Sequence, residues 1–219
     1  MSIVTSHMFD IILFGIQGSG KGTQGKILAA KYSLEIFETG SELRKLSEQD
    51  TDLAKKVKSI IEAGHLVPNE VVVEIIENFM QHLEPGKSVL FDGIPRKKDQ
   101  AGSFEEVMKR NNRKFMGVFM ALSQDQALER LLARRICEKC KSVFLKNYTK
   151  ETCENCGGKL ITRSDDNPES IKNRFKAFNE ETMPVIEDYK NRKLMIEVDG
   201  TKSVEEVSQE LFKKLDVIF

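Results

Sequence analysis

Phe9-Asp10-Ile11-Ile12-Leu13-Phe14-Gly15-Ile16-Gln17-Gly18-Ser19-Gly20-Lys21-Gly22-Thr23 is the stretch from which the rest of the chain can be read. Its first six positions are mostly apolar and β-prone, which predicts a buried parallel strand. The glycine-rich segment after it ends in a lysine, and a helical pattern runs on from Thr23 to Lys31. Strand, glycine loop and helix in that order bring main-chain N–H groups, a helix dipole and the Lys21 ammonium onto one phosphate. Glycine is needed because the loop must curl close to its ligand, where side chains would collide. The loop departs from the common Gly-x-x-x-x-Gly-Lys-Ser/Thr form. Gly22 stands where a hydroxyl usually meets magnesium, and Thr23 follows one place later.

Outward from this loop, apolar runs alternate with helical spacing. Leu34–Glu38, Ser88–Asp92, Phe115–Leu122 and Leu194–Val198 read as further strands. Residues 41–63 carry helical spacing (Leu43, Leu46, Leu53, Val57, Ile60, Ile61) and stop at Gly64, a C-cap residue. Asn69 is expected to cap a helix from Val71 to Leu83, ended by Pro85-Gly86. Helices are also predicted over Asp125–Arg135, over Pro168–Arg192 with a bend at Pro184, and over Val204–Leu215. Such alternation predicts an α/β fold, a parallel sheet with helices on both faces. Ligands of such sheets lie at the carboxyl ends of the strands, and Gly15–Lys21, Thr39, Asp92–Arg96 and Asp199–Gly200 all fall there.

At 219 residues, 40% hydrophobic and 31% charged, the chain suits one substantial core with inserted lobes. Its 34 basic and 34 acidic residues cancel, which argues against a nucleic-acid partner, so affinity for anions must come from local placement. No apolar run reaches the ~20 residues of a membrane span, and residues 1–8 are too short and polar for a secretory signal. A cytoplasmic location is expected. Cys137-x2-Cys140-x12-Cys153-x2-Cys156 places two thiolate pairs on tight turns, the spacing of a closed, structural S4 zinc site. Free buried cysteine or a redox pair fits that regularity less well.

Several motifs together resemble the nucleoside monophosphate kinase family, the adenylate kinases with a long zinc-binding lid in particular. They are Gly15 to Thr23, Thr39-Gly40-Ser41-Glu42-Leu43-Arg44, Asp92-Gly93-Ile94-Pro95-Arg96 with Gln100, Arg130 to Arg135, Arg163-Ser164-Asp165-Asp166 with Arg174, and Val198 to Lys202. The resemblance runs in order from Phe9 to the C-terminus. Ile94 replaces an aromatic residue and Ser41 an acidic one. The lid segment Ser142–Thr152 is shorter than in the family's zinc-bearing lids and lacks their prolines.

The resemblance implies reversible magnesium-dependent transfer of a phosphoryl group from ATP to AMP, giving two ADP, by a monomer. It implies a P-loop core (1–37, 68–132, 167–219), an inserted helical acceptor lobe (38–67) and a zinc-binding lid (133–166). Lys21, Arg96, Arg134, Arg163 and Arg174 would neutralise the phosphates, and Asp92 would order the waters of Mg2+. On the ATP side stand Gly18, Ser19, Gly20, Lys21, Gly22, Thr23, Arg130, Arg134, Val143, Phe144 and Lys202, with Arg130 against the adenine face. On the AMP side stand Thr39, Arg44, His65, Leu66, Val67, Gly93, Arg96, Gln100, Arg163 and Arg174, with Gln100 reading the base through its donor and acceptor. Zn2+ would take Cys137, Cys140, Cys153 and Cys156.

Outside these motifs, Arg110, Arg113 and Arg192 read as solvated charge, and Arg135 as a helical neighbour of Arg134 that points away. Asp165 and Asp166 read as a helix cap that also pins lid arginines. The rival readings are a kinase for UMP, CMP or GMP, a zinc ribbon binding nucleic acid, and an ATP-binding switch without transfer. Thr39 and Gln100 favour AMP. The basic, aromatic-rich stripe of a nucleic-acid binder is missing.

Overall fold

The structure is a computed structural model that describes residues 9–63, 65–145, 147–163 and 166–218. Gly64, Ser164 and Asp165 therefore lie outside the described residues. Five parallel strands form the central sheet: β1 (Phe9–Phe14), β2 (Glu35–Glu38), β3 (Val89–Asp92), β4 (Lys114–Ala121) and β8 (Met195–Asp199). Their order is β2-β3-β1-β4-β8.

Successive side chains of these strands go to opposite faces, and both faces are buried. Ile11, Leu13, Leu90, Val118 and Met120 pack with Leu28 of α1 (Lys21–Tyr32) and with Val207 and Leu211 of α9 (Val204–Leu215). Ile12, Phe14, Val89, Phe91 and Phe119 join the opposite core. That core is covered by α4 (Asn69–His82), α5 (Lys98–Arg110), α7 (Pro168–Ala177) and α8 (Met183–Asn191). A run of touching rings, Phe37, Phe91, Phe104, Phe115, Tyr189 and Phe14, crosses this side with centroids 5.0–5.8 Å apart.

Several details correct the sequence expectations. The 41–63 pattern is two helices, α2 (Thr39–Ser47) and α3 (Asp52–Glu62), because Thr51 caps a fresh start by accepting from Ala54 N. Asn69 is the first helical residue rather than the cap, and its Nδ2 donates to Ser103 Oγ at 3.0 Å. Helix α6 (Gln124–Leu132) stops three residues early, so Arg135 starts strand β5 (Arg135–Cys137) and donates to the carbonyls of Tyr148 and Lys150. The Pro168–Arg192 region is α7 and α8 joined by a π-helical turn over Phe178–Thr182, just before Pro184.

Strands β5, β6 (Val143–Phe144) and β7 (Leu160–Ile161) form a small antiparallel sheet in the order β6-β5-β7. Among the described residues its buried apolar core is Cys137, Phe144, Cys153 and Leu160, with Tyr148 against them. On the other face Ile136 pairs with both Val143 and Ile161, a β-branched row left partly exposed.

Candidate active site

The loop after β1 turns where glycine is required. Gly18 and Gly20 have φ of 91° and 100°, and a Cβ on Gly15 would meet Ser19 Oγ at 2.5 Å and Met120 O at 2.9 Å. Helix α1 then starts with no side-chain cap and no acidic residue in its first turn, so its N–H groups are left to an outside anion. Lys21 Nζ donates to Gly15 O (2.7 Å) and Ile16 O (3.3 Å), which holds the ammonium over the loop. Burial pulls its pKa down to about 8, against the attraction of Asp92. Ser19 Oγ and Gln17 Oε1 are buried without a hydrogen-bond partner. Gly22 and Thr23 lie exposed on the first turn of α1.

A second loop follows β3. Gly93 has a φ of 89°, and a Cβ there would press on Arg96 Nη2 at 2.8 Å. Arg96 is fixed from three sides. Its Nε donates to Gly93 O (2.8 Å), its N–H to Gln100 Oε1 (2.8 Å), and its carbonyl accepts from Thr182 Oγ1 (2.8 Å). Gln100 is buried, and its acceptor oxygen is committed to Arg96. One lone pair of that oxygen is thereby taken, and its second lone pair and the amide hydrogens remain. Burial raises the pKa of Asp92, opposed by Lys21, Arg96 and Arg163.

The cations from distant segments meet on this rim. A pocket is lined by Gly15, Gln17, Lys21, Leu66, Gly93, Arg96, Arg174 and Thr182, among others. Arg96 feels the charges of Arg174 and Arg44, and Lys21 those of Arg96 and Arg134. Asp166, whose side chain is fully buried, takes Arg134 Nε and Nη2 at 2.6–2.9 Å and Arg174 Nη1 at 3.4 Å. One carboxylate between two guanidiniums leaves a net positive charge facing the rim. Asp166 thus pins lid arginines as expected, whereas the cap of α7 is Asn167, which accepts from Ser170 N at 2.9 Å.

The remaining predicted residues are placed as follows. Thr39 opens α2 at the end of β2, buried, with Oγ1 unpartnered. Arg44 lies one turn on and pairs with Glu38 at 3.3 Å. Leu66 lines the pocket, Val67 is buried in the core, and His65 is exposed. Arg130 Nη2 donates to Gly200 O at 2.9 Å and Nη1 to Gly18 O at 3.4 Å, joining the glycine loop to the loop after β8. Lys202 is tied to Glu210 at 2.8 Å. Val143 is exposed on the small sheet, while the Phe144 ring packs on Tyr148. That commits the Phe144 side chain to the core of the small sheet, whose β5 strand also pairs with the Phe144 main chain.

The four cysteine sulfurs lie within 4.8 Å of one another, with Cys137–Cys156 at 3.4 Å and Cys140–Cys153 at 3.5 Å. Mutual approach of all four sulfurs, across and within the two Cys-x2-Cys turns, suits four ligands around one tetrahedral ion. Contacts with Ser142 hold the Cys140 thiol down at about 6, while burial pushes the Cys153 thiol up to about 12.

Sequence reasoning missed one buried charge. Arg113 is not surface charge: its Nε and Nη2 grip Asp10 at 2.6 Å each, Nη2 also donates to Lys87 O, and both side chains are buried. Arg110 and Arg192 are exposed, as expected, on Glu77 and on Glu105 and Asp188.

A parallel sheet with a phosphate loop, faced by arginines from separate segments of the chain, defines a nucleotide phosphotransferase. The family model for adenylate kinase matches residues 13–194. Among similar proteins are the adenylate kinases of Staphylococcus epidermidis, 36% identical over 94% of this chain and 99% of the relative, and of Elusimicrobium minutum, 38% identical over 93% and 96%. The adenylate kinase of Archaeoglobus fulgidus is 35% identical over 95% and 99%. The chain belongs to the adenylate kinase family. Among the described residues no helix is long and apolar enough to cross a membrane.

Proposed function

We propose that this chain transfers the terminal phosphoryl group of ATP to AMP, reversibly, to give two ADP. The observation that carries the reading is the convergence of Lys21, Arg96, Arg134 and Arg174 from separate segments on the rim of one sheet. Two facing polyphosphates repel one another, and transfer between them needs that charge countered and water kept out.

In this reading the glycine loop, from Gly18 to Thr23, and Lys21 take the donor's phosphates. Arg130, Val143, Phe144 and Lys202 border the donor nucleoside. Residues 38–67 form the acceptor lobe, where Thr39, Arg44, Arg96, Arg163 and Arg174 hold the monophosphate, with Gly93 and the His65–Val67 strip beside it. Gln100 chooses the base. Its oxygen accepts one bond from Arg96 N, and the lone pair and N–H groups left to it match the N6 amino group and N1 of adenine.

Residues 133–166 form a lid whose four buried core residues are too few to hold a fold alone. Zn2+ on the four cysteines supplies the missing stability. Asp92 suits the hydrated magnesium that accompanies ATP, since a nearby cation offsets the cost of burying its charge. Magnesium contributes charge neutralisation on the phosphates. The chain's own groups position donor and acceptor for in-line transfer, with no covalent intermediate. Four unpaired thiols, gathered for a metal rather than a disulfide, support a reducing, cytoplasmic setting, and the enzyme acts as a monomer in this reading.

The test is ADP formation from MgATP with AMP, CMP, UMP or GMP as acceptor. The reading requires AMP to be preferred by at least about tenfold. Preference for another monophosphate would replace it.

A further inference from the structure

Helix α3 ends with carbonyls that have no partner within the helix, as every helix does. Here two of them are met by side chains more than a hundred residues away. Ser170 Oγ donates to Glu62 O at 2.8 Å, and Asn173 Nδ2 donates to Ala63 O at 3.0 Å. Both donors lie one turn apart on α7, and Ser170 is buried. The same helix is anchored at its start beside Asp166, which binds Arg134 and Arg174, and it carries Arg174 itself. Leu66, a few residues beyond α3, lines the pocket with Arg174. One helix thus holds both an arginine of the site and the end of the segment that carries Thr39 and Arg44.

We infer that Ser170 and Asn173 are positioning residues for the acceptor nucleotide: they fasten the far end of α2–α3 to the helix bearing Arg174, so that Thr39 and Arg44 face that arginine across one monophosphate. They touch no reacting atom. The inference rests on the acceptor lobe proposed above. Both bonds end on the last carbonyls of α3, on the acceptor side.

The experiment compares the parent protein with Ser170→Ala, Asn173→Ala, the double variant and Ser170→Thr, which keeps the hydroxyl. Two lost hydrogen bonds predict a KM for AMP raised about tenfold in the double variant, with KM for ATP within about twofold. Ser170→Thr should stay near the parent. In the unliganded double variant, amides of α2 and α3 should exchange hydrogen faster while those of the lid sheet do not. An unchanged KM for AMP, or an equal rise for both nucleotides, overturns the inference. If the double variant does not fold, Asn173→Ala decides, because that side chain lies nearer the surface. Failure of the parent to make ADP would sink the functional reading instead, and the exchange data would still report on the fastening.

Discussion

The two ends of the central sheet use the same chemistry to opposite purposes. At the amino end, Asp10 and Arg113 form a buried pair held on several sides: Asp10 also accepts from Val89 N, and Arg113 also donates to Lys87 O. At the carboxyl end, cations outnumber the carboxylates among them, Lys21 rests on carbonyls, and Ser19 Oγ, Gln17 Oε1 and Thr39 Oγ1 lack partners. A buried polar group without a partner costs stability. A fold that bears this cost at three atoms on one rim marks where a polar ligand belongs. Helix α1, above the glycine loop, starts without a side-chain cap, as do α2, α4, α5 and α8, whereas α3, α6, α7 and α9 are capped by Thr51, Ser123, Asn167 and Ser203.

Exchanging the roles of the two ends is the sharpest way to break this comparison. Lys21→Met should lower turnover by about a thousandfold or more while leaving the melting temperature near the parent's, read by steady-state kinetics and calorimetry. Asp10→Ala should do the reverse. It strands the Arg113 charge and should cost about 3–5 kcal/mol in denaturant unfolding, with both KM values unchanged. If either variant showed the other's behaviour, the division between the ends would be wrong.

The lid lies between these extremes, since its core is small and its cysteines are unpaired. Removing the metal should lower the melting temperature and expose the amides of residues 135–161 to exchange, with the sheet core protected. Equal stability after verified metal removal would make the cluster ornamental. Gln100→Ala should relax the choice of AMP over GMP by roughly 1–3 kcal/mol in kcat/KM, sharpening which atom reads the base. The smallest effect concerns pH. The pKa of Lys21 is depressed to about 8 in the free protein, and bound phosphate raises it, so binding takes up a proton. ATP affinity should be full below pH 8 and fall about tenfold per unit above it, measured by titration calorimetry in two buffers.

Much of the central sheet and the motif residues were legible because each lies in a local pattern: apolar runs for strands, glycine before Lys21, paired cysteines. What escaped depends on separation in sequence. Arg113 finds Asp10 across 103 residues, and no spacing rule reveals that. Ser170 and Asn173 reach α3 in the same way. Helix α5 is a different kind of omission. Ala101, Phe104, Val107 and Met108 carry helical spacing and are buried, a signal that was present but diluted by charged neighbours. The break between α2 and α3 was masked by good helix formers on both sides, although Thr51-Asp52 is a cap signature. For Gln100 the residue was legible but not its orientation, since its oxygen is claimed by a main-chain N–H four residues back.

The central claim is that the open rim joins two nucleotides rather than exposing one to water. Phosphorus NMR of the protein with magnesium, ATP and AMP tests it without coupling enzymes. The account predicts that ATP and AMP signals decline together as ADP grows, with no inorganic phosphate. Release of inorganic phosphate from ATP while AMP persists would contradict it.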